Sequence, residues 1–234
     1  MDATQSQSDI YTDGTYLEKT GGTWHLQDSP SKAQEIAKLL ARRRGIQPDT
    51  VCEIGCGAGG ILAYLQKTLP SHVVFTGYEI SPQAHSLSAR FANSRCRFVL
   101  GDAFADSITY DLVLIMDVVE HVEDCFSFLR LTRRKGRYKL YHIPLDTSVN
   151  KILRGVNSWD SLGHIHLFTK ETALKSLEHT GHQIIDWTFT AGTLASPGSR
   201  LARMGNLVRW PLDKLSVNFC SRLMGGYSIL ILAA

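Results

Sequence analysis

The stretch that decides the fold lies between Val51 and Gly60 and reads Val-Cys-Glu-Ile-Gly-Cys-Gly-Ala-Gly-Gly. A predicted strand over 50–54 leads into it, and the apolar spacing that follows predicts a helix over 59–68. Glycines between a strand and a helix let the backbone turn sharply and approach a ligand closely. The amide groups at the start of the helix offer hydrogen-bond donors to a polar group. We therefore expect a ligand to bind at this turn.

Strands and helices alternate on both sides of the glycine-rich turn. The pattern predicts strands over 50–54, 73–79, 97–100, 111–116, 137–143, 182–189 and 228–234, and helices over 30–44, 59–68, 82–93, 122–132 and 170–180. Such alternation indicates an α/β sandwich built on a mainly parallel sheet. The unbroken apolar run Leu112–Met116 further predicts a strand that is covered on both faces.

Composition and charge are those of an ordinary folded domain. The chain has 234 residues, of which 44% are hydrophobic and 20% charged, which excludes a disordered or fibrous protein. The net charge of +3 is too small to indicate a nucleic-acid partner. The five cysteines include no second pair at metal-ligand spacing, and the first nine residues lack an apolar core, so we expect a cytoplasmic protein without a signal peptide.

Three segments fall outside the strand–helix rhythm. We interpret residues 1–29 as an N-terminal extension or lid, and residues 30–234 as a single domain with cap segments at 145–168 and 191–226. Connections of this length in a compact domain usually carry function. The residues expected to contact the substrate are the aromatic and histidine side chains of the extension and the first cap segment, namely Tyr16, Trp24, His25 and Trp159.

The second cap segment mixes apolar residues with arginines. Residues 198–224 could form an ordinary capping subdomain. Alternatively, they could form a basic amphipathic helix that makes peripheral contact with a membrane surface.

Carboxylates at predicted strand ends indicate which class of ligand the glycine-rich turn binds. Its spacing, Gly55-x-Gly57-x-x-Gly60, also fits a dinucleotide-binding turn. Glu53, however, would repel a pyrophosphate and suits a cation or an amine. Glu79 ends the next strand, about 20 residues after the glycines, where a carboxylate binds two ribose hydroxyls. A third carboxylate, on Asp102, follows the next strand and could accept a hydrogen bond from an adenine amine.

These motifs resemble the class I S-adenosylmethionine-dependent methyltransferases, in particular the small-molecule enzymes of the ubiquinone-pathway type. The resemblance rests on the turn, the two acidic strand ends and the fourth-strand run Tyr110–Val122, and it covers about residues 46–145. It implies a Rossmann-like, seven-stranded methyltransferase sandwich whose last strand is antiparallel. It also implies S-adenosylmethionine as the cofactor and S-adenosylhomocysteine as the product.

The same resemblance implies the cofactor-binding residues. The turn and Glu53 would hold the methionine end, Glu79 the ribose and Asp102 with its neighbours the adenine, while Asp117 would line the methionine side. The complete set is Glu53, Gly55, Cys56, Gly57, Gly59, Glu79, Ile80, Asp102, Ala103 and Asp117.

Histidines near the active edge of the sheet are the candidate catalytic residues. Methylation of a hydroxyl needs a general base, and histidine has a suitable ordinary pKa. The candidates are His121, His142, His164 and His166. We therefore predict transfer of a methyl group to the hydroxyl of a small molecule. The alternatives are a small-amine N-methyltransferase, a nicotinamide-dependent reductase and a non-catalytic S-adenosylmethionine-binding protein.

Neither a nucleic-acid acceptor nor a metal is expected from the sequence. The residues after the fourth strand, Asp117 to Glu120, lack the Pro-Pro-aromatic pattern of enzymes that methylate base amines. No compact metal-ligand spacing occurs, so we predict no metal. The alternative is a divalent ion held by Asp117, His121, His142 and a histidine of the first cap segment.

Overall fold

The structure, a computed structural model, describes residues 11, 13–19, 21–24, 26–155, 163–191, 214 and 216–234. The strands are β1 (Thr50–Ile54), β2 (Val74–Glu79), β3 (Cys96–Leu100), β4 (Tyr110–Met116), β5 (Gly136–Leu145), β6 (Ile184–Ala191) and β7 (Tyr227–Ala233). The helices are α1 (Thr15–Lys19), α2 (Ser29–Arg42), α3 (Gly60–Thr68), α4 (Pro82–Ser88), α5 (Cys125–Lys135), α6 (Val149–Leu153) and α7 (Lys170–His179). Residues 216–224 are also helical.

The seven strands form one sheet in the order β3-β2-β1-β4-β5-β7-β6. The first five strands are parallel to one another, with Glu53 opposite Gly77 and Met116 opposite His142. β7 lies between β5 and β6 and is antiparallel to both. The predicted seven-stranded α/β sandwich with an antiparallel last strand is confirmed.

The core lies on both faces of the sheet, as the run in β4 predicts. Leu112 and Leu114 pack with the apolar stripes of α2 and α3 on one face. Val113 and Ile115 pack with residues of α5 and α7 on the other face. Successive side chains of a strand point to opposite faces, so a strand buried on both sides must be apolar at every position.

Two predicted helices differ from the observed ones. The helix predicted over 82–93 ends at Ser88 and continues as a 3-10 turn over Ala89–Phe91. The helix predicted over 122–132 begins only at Cys125, because the Asp124 carboxylate accepts a hydrogen bond from the Ser127 amide and caps the helix there.

The extension and the cap segments are described only in part. Residues 1–10, 12, 20, 25, 156–162, 192–213 and 215 lie outside the described residues, and with them His25 and Trp159. Within the part of the chain that the structure describes, no helix combines the length and the apolar character needed to cross a bilayer.

Candidate functional site

The glycine-rich turn requires glycine at the positions where the backbone is left-handed. Gly57 has φ +53°, and a Cβ on it would lie 2.7 Å from Trp24 Cδ1. Gly55 has φ +70°, and a Cβ there would lie 2.8 Å from Val118 Cγ2. The turn therefore folds tightly between the N-terminal extension and the loop that follows β4.

A cavity of about 560 Å³ opens beside this turn, at the carboxyl ends of β1, β2 and β4. Its volume is in the range of pockets that enclose small organic ligands. The sequence-predicted site residues that line it are Tyr16, Trp24, Glu53, Gly55, Cys56, Gly57, Glu79, Ile80, Asp117, His121 and His164. A larger depression of about 810 Å³ lies outside α3 and is lined by none of the predicted residues.

Two carboxylates on adjacent strands face the cavity and differ in their hydrogen bonding. Glu79 accepts hydrogen bonds from the amides of Gly57 (2.8 Å) and Ser81 (2.9 Å), which join the end of β2 to the turn. Glu53 is 1% exposed, and its Oε2 has no hydrogen-bond partner among the described residues. Burial raises the pKa of Glu53 well above its ordinary value. The cavity thus holds a buried acceptor that lacks a donor.

A network of charged residues fixes the end of β4. Asp117 has φ +55°, and its Oδ2 lies 2.5 Å from Lys32 Nζ, while its Oδ1 accepts a hydrogen bond from His142 Nδ1 at 2.6 Å. Burial acts to raise the pKa of Asp117, but the charges of His142 and Lys32 outweigh it and hold this pKa far below the ordinary value. The Asp117 carboxylate is therefore ionised at the cavity wall.

The second ring nitrogen of His142 is also engaged. Nε2 shares a hydrogen bond of 2.8 Å with the Thr190 hydroxyl, and the residue is buried. His142 thus has no ring nitrogen directed at the cavity and orients Asp117 instead.

Two histidines meet at the opposite wall of the cavity. The rings of His121 and His164 are edge to face, with centroids 4.8 Å apart. His164 Nδ1 donates to Asp146 Oδ2 at 2.5 Å, and Asp146 also pairs with Lys151. Burial acts to raise the pKa of Asp146, but the hydrogen bonds from His164 and Lys151 outweigh it and lower this pKa to about 2.

His121 is held in a similar way by backbone and side-chain oxygens. Its Nδ1 donates to the Gly163 carbonyl at 3.0 Å, and the Tyr11 hydroxyl oxygen lies 2.8 Å from the same nitrogen. Burial, followed by the neighbouring His164, lowers the pKa of His121 to about 4. On both histidines, Nε2 is therefore the nitrogen left to act in the cavity.

The remaining predicted residues lie away from the cavity. His166 donates from Nε2 to the Val122 carbonyl at 2.8 Å. The Asp102 carboxylate accepts from the Phe104 amide, and Ala103 is buried in the core. Gly59 caps α3 with φ +77°. The assignments of Asp102, Ala103 and Gly59 to the cofactor stay predictions.

Several cavity residues were missed from sequence. Lys32, Tyr11 and Glu120 line the cavity, and Asp146 stands behind it. Signals existed for two of them, because Asp146 directly follows the last residue of β5 and Glu120 precedes a candidate histidine.

Comparisons with known proteins agree with this architecture. A family model described as a methyltransferase domain matches residues 24–186. The mitochondrial ubiquinone biosynthesis O-methyltransferase of Schizosaccharomyces pombe is 28% identical over 143 residues, which are 53% of this chain and 51% of that protein. The chain therefore spans about half the length of this curated relative.

Solved structures share the fold at low sequence identity. Magnesium protoporphyrin IX methyltransferase from Synechocystis PCC 6803 with bound SAH superimposes with a TM-score of 0.65 at 14% identity, covering 97% of this chain and 98% of that one. The plantazolicin methyltransferase BpumL in complex with SAH gives 0.62 at 17% identity, with 97% and 93% covered.

Proposed function

Because this chain belongs to the family of methyltransferase domains, whose methyl donor is S-adenosylmethionine, we propose that it methylates the hydroxyl of a small molecule. One observation carries the proposal. A single cavity has the glycine-rich turn with its carboxylates on one wall and the Asp146–His164 pair on another. It thus offers both a donor side and an acceptor side.

The donor side has the chemistry that the cofactor needs. The unpartnered Oε2 of Glu53 can accept a hydrogen bond from an ammonium group, and Glu79 has carboxylate lone pairs beyond its two amide contacts for ribose hydroxyls. When bound, the sulfonium of S-adenosylmethionine supplies an electrophilic methyl group. The Asp117 carboxylate, held by Lys32 and His142, lines the same wall.

The acceptor side supplies a base. His164 is 7% exposed and lines the cavity, and its Nδ1–H is committed to Asp146, so Nε2 is the nitrogen that can take a proton. We assign to it the proton of the acceptor hydroxyl. With S-adenosylmethionine bound, the acceptor oxygen would form a bond to the methyl carbon as the carbon–sulfur bond breaks and leaves its electron pair on sulfur. Alignment of the two reactants supplies much of the rate.

The Asp146–His164 pair supports oxygen rather than nitrogen as the methylated atom. A neutral amine needs no base to become nucleophilic, whereas a hydroxyl does. The Schizosaccharomyces pombe relative is named an O-methyltransferase, which supports the same choice.

Two measurements test the proposal in order. Equilibrium dialysis with labelled S-adenosylmethionine and with NADH separates a methyltransferase from a reductase. We expect S-adenosylmethionine to bind and NADH not to bind. Turnover against matched phenols, alcohols and amines then identifies the acceptor by the mass of the product. Transfer to amines alone would contradict O-methylation, and tight binding without turnover on any acceptor would indicate a non-catalytic protein.

A further inference from the structure

The depression outside α3 is a second candidate binding site, which we call the α3 depression. Its volume of about 810 Å³ is within the range of pockets that enclose small organic ligands. Three parts of the chain line it, from residues 23–30, 63–67 and 90–93. It is separate from the cavity at the strand ends, and Leu26 is the described residue that lines both.

The charged side chains that line the α3 depression are both cations. Lys67 Nζ lies 5.0 Å from the centroid of the Tyr64 ring, and Arg90 Cζ lies 4.9 Å from the centroid of the Phe91 ring. Neither cation forms an ion pair with any carboxylate in the part of the chain that the structure describes, and no described carboxylate lines the depression. Its positive charge is therefore not neutralised locally.

Two glutamine side chains of the depression add hydrogen-bond donors. Gln66 Oε1 accepts a hydrogen bond from Asn93 Nδ2 at 2.9 Å, and Gln27 Oε1 accepts one from the Thr23 hydroxyl at 3.0 Å. Because the oxygen of each glutamine is engaged, its NH₂ group is the part left to contact a ligand. Ammonium, guanidinium and amide donors together favour an anion.

Aromatic and apolar side chains form the rest of the depression. The Tyr64 ring is 40% exposed, and Phe91 is half-buried. Leu26 and Pro30 contribute apolar surface from the N-terminal segment. Aromatic side chains of this kind pack against flat rings. We propose that the α3 depression binds a small organic anion, a carboxylate or a phosphate attached to a flat ring, and that this ligand raises the affinity of the protein for S-adenosylmethionine.

The coupling between the two sites follows from the segment that they share. Thr23 and Gln27 line the α3 depression, whereas Trp24 and Ser29 line the cavity and Leu26 lines both. One short segment therefore forms a wall of each site, with neighbouring residues turned to opposite sides.

The same segment packs on the glycine-rich turn. A Cβ on Gly60 would lie 2.5 Å from Leu26 Cδ1, so the segment lies directly against the start of α3. A ligand that contacts Gln27 from the outside holds this segment against the turn, and so stabilises the wall of the donor side. Coupling of this kind is reciprocal, so the cofactor should strengthen binding of the anion by the same factor.

Binding of an anion can be measured with the donor site filled. The whole chain is saturated with S-adenosylhomocysteine and titrated by calorimetry with 2-naphthoate and with AMP. Naphthalene-2-carboxamide and adenosine keep the rings and lack the charge. We expect one equivalent of each anion to bind, and the neutral compounds to bind more weakly by about 10-fold or more. Tighter binding of AMP would indicate a phosphate as the natural ligand, and tighter binding of 2-naphthoate a carboxylate.

Variants test where the anion binds. Lys67→Gln and Arg90→Gln should each weaken binding by about 2- to 5-fold, and the double variant by about 5- to 25-fold. Ala92→Trp places a large ring at an exposed position of the depression and should abolish binding without a change in charge. Lys175→Gln, at an exposed lysine of α7, should bind as the wild type does. Circular dichroism checks that each variant folds.

The coupling is measured as the affinity for S-adenosylhomocysteine with and without 2-naphthoate. We expect the anion to raise this affinity by about twofold or more in the wild type and to leave it unchanged in Ala92→Trp. An unchanged affinity in the wild type overturns the coupling.

The remaining outcomes separate this inference from the proposed function. Absence of stoichiometric binding by both anions, equal binding of the neutral compounds, or binding that the Lys67, Arg90 and Ala92 variants all leave unchanged overturns the site. Anion binding with the expected coupling, in a protein that methylates no acceptor, supports the site and refutes the proposed function.

Discussion

Replacing Asp146 by Asn should slow methyl transfer by about 10- to 150-fold. The substitution keeps the shape of the side chain and removes the charge that faces His164 Nδ1 at 2.5 Å. Hydrogen bonds to a charged group contribute about 1.5–3 kcal/mol, and His164 is almost fully buried, so solvent cannot restore the loss. Each ~1.36 kcal/mol corresponds to a factor of 10 in rate, which gives the stated range.

The assay measures kcat at saturating S-adenosylmethionine and acceptor. The control is Lys151→Gln, which removes the other ionic partner of Asp146 and leaves the His164 contact in place. We expect this control to retain most of the activity. A rate for Asp146→Asn within twofold of the wild type, or an equal loss in both variants, refutes the reasoning.

Three further substitutions test the donor side and the fold. Gly57→Ala puts a Cβ 2.7 Å from Trp24 at a residue whose φ is +53°. The left-handed strain alone, about 1–2 kcal/mol, should lower the melting temperature by about 2–8 °C. Gly45→Ala is the control, because a Cβ there meets no atom within 4 Å and should barely change the melting temperature. Burial raises the pKa of Glu53, so folding favours its protonated form and the free energy of unfolding falls as the pH rises above about 4.3. Glu53→Gln removes that decline, and its stability gain over the wild type in urea should be larger at pH 8 than at pH 5; equal gains contradict the assignment. Lys32→Met removes the ammonium that keeps the carboxylate after β4 ionised, so the acid-unfolding midpoint, followed by circular dichroism, should move to higher pH, and an unchanged midpoint counts against the pair.

Local sequence patterns predicted the order of the strands and helices. The apolar run in β4 and the glycine spacing after β1 each depend on neighbouring residues, whose periodicity the sequence displays directly. The turn and the acidic end of β2 line one cavity in the structure, and their assignment to the cofactor stays a prediction.

Contacts between distant residues could not be predicted in this way. The Lys32–Asp117 pair joins α2 to the end of β4, and the Asp146–His164 pair depends on the path of the intervening segment. His142 was expected at a strand end, but β5 continues to Leu145, so its ring lies within the sheet and bonds to Asp117. Sequence periodicity specifies which face a side chain takes and carries no information on its partner 18 or more residues away.

The position of β7 has a consequence for synthesis of the protein. Among the described strands, β6 pairs with β7 alone, yet about 40 residues separate the end of one from the end of the other. At about 5–20 residues per second, a ribosome needs about 2–8 s to make them. During that interval, the hydrogen-bonding edge of β5 is open to any other extended chain. A nascent polypeptide stalled before Tyr227 should therefore be the form most prone to aggregate, and to need a chaperone.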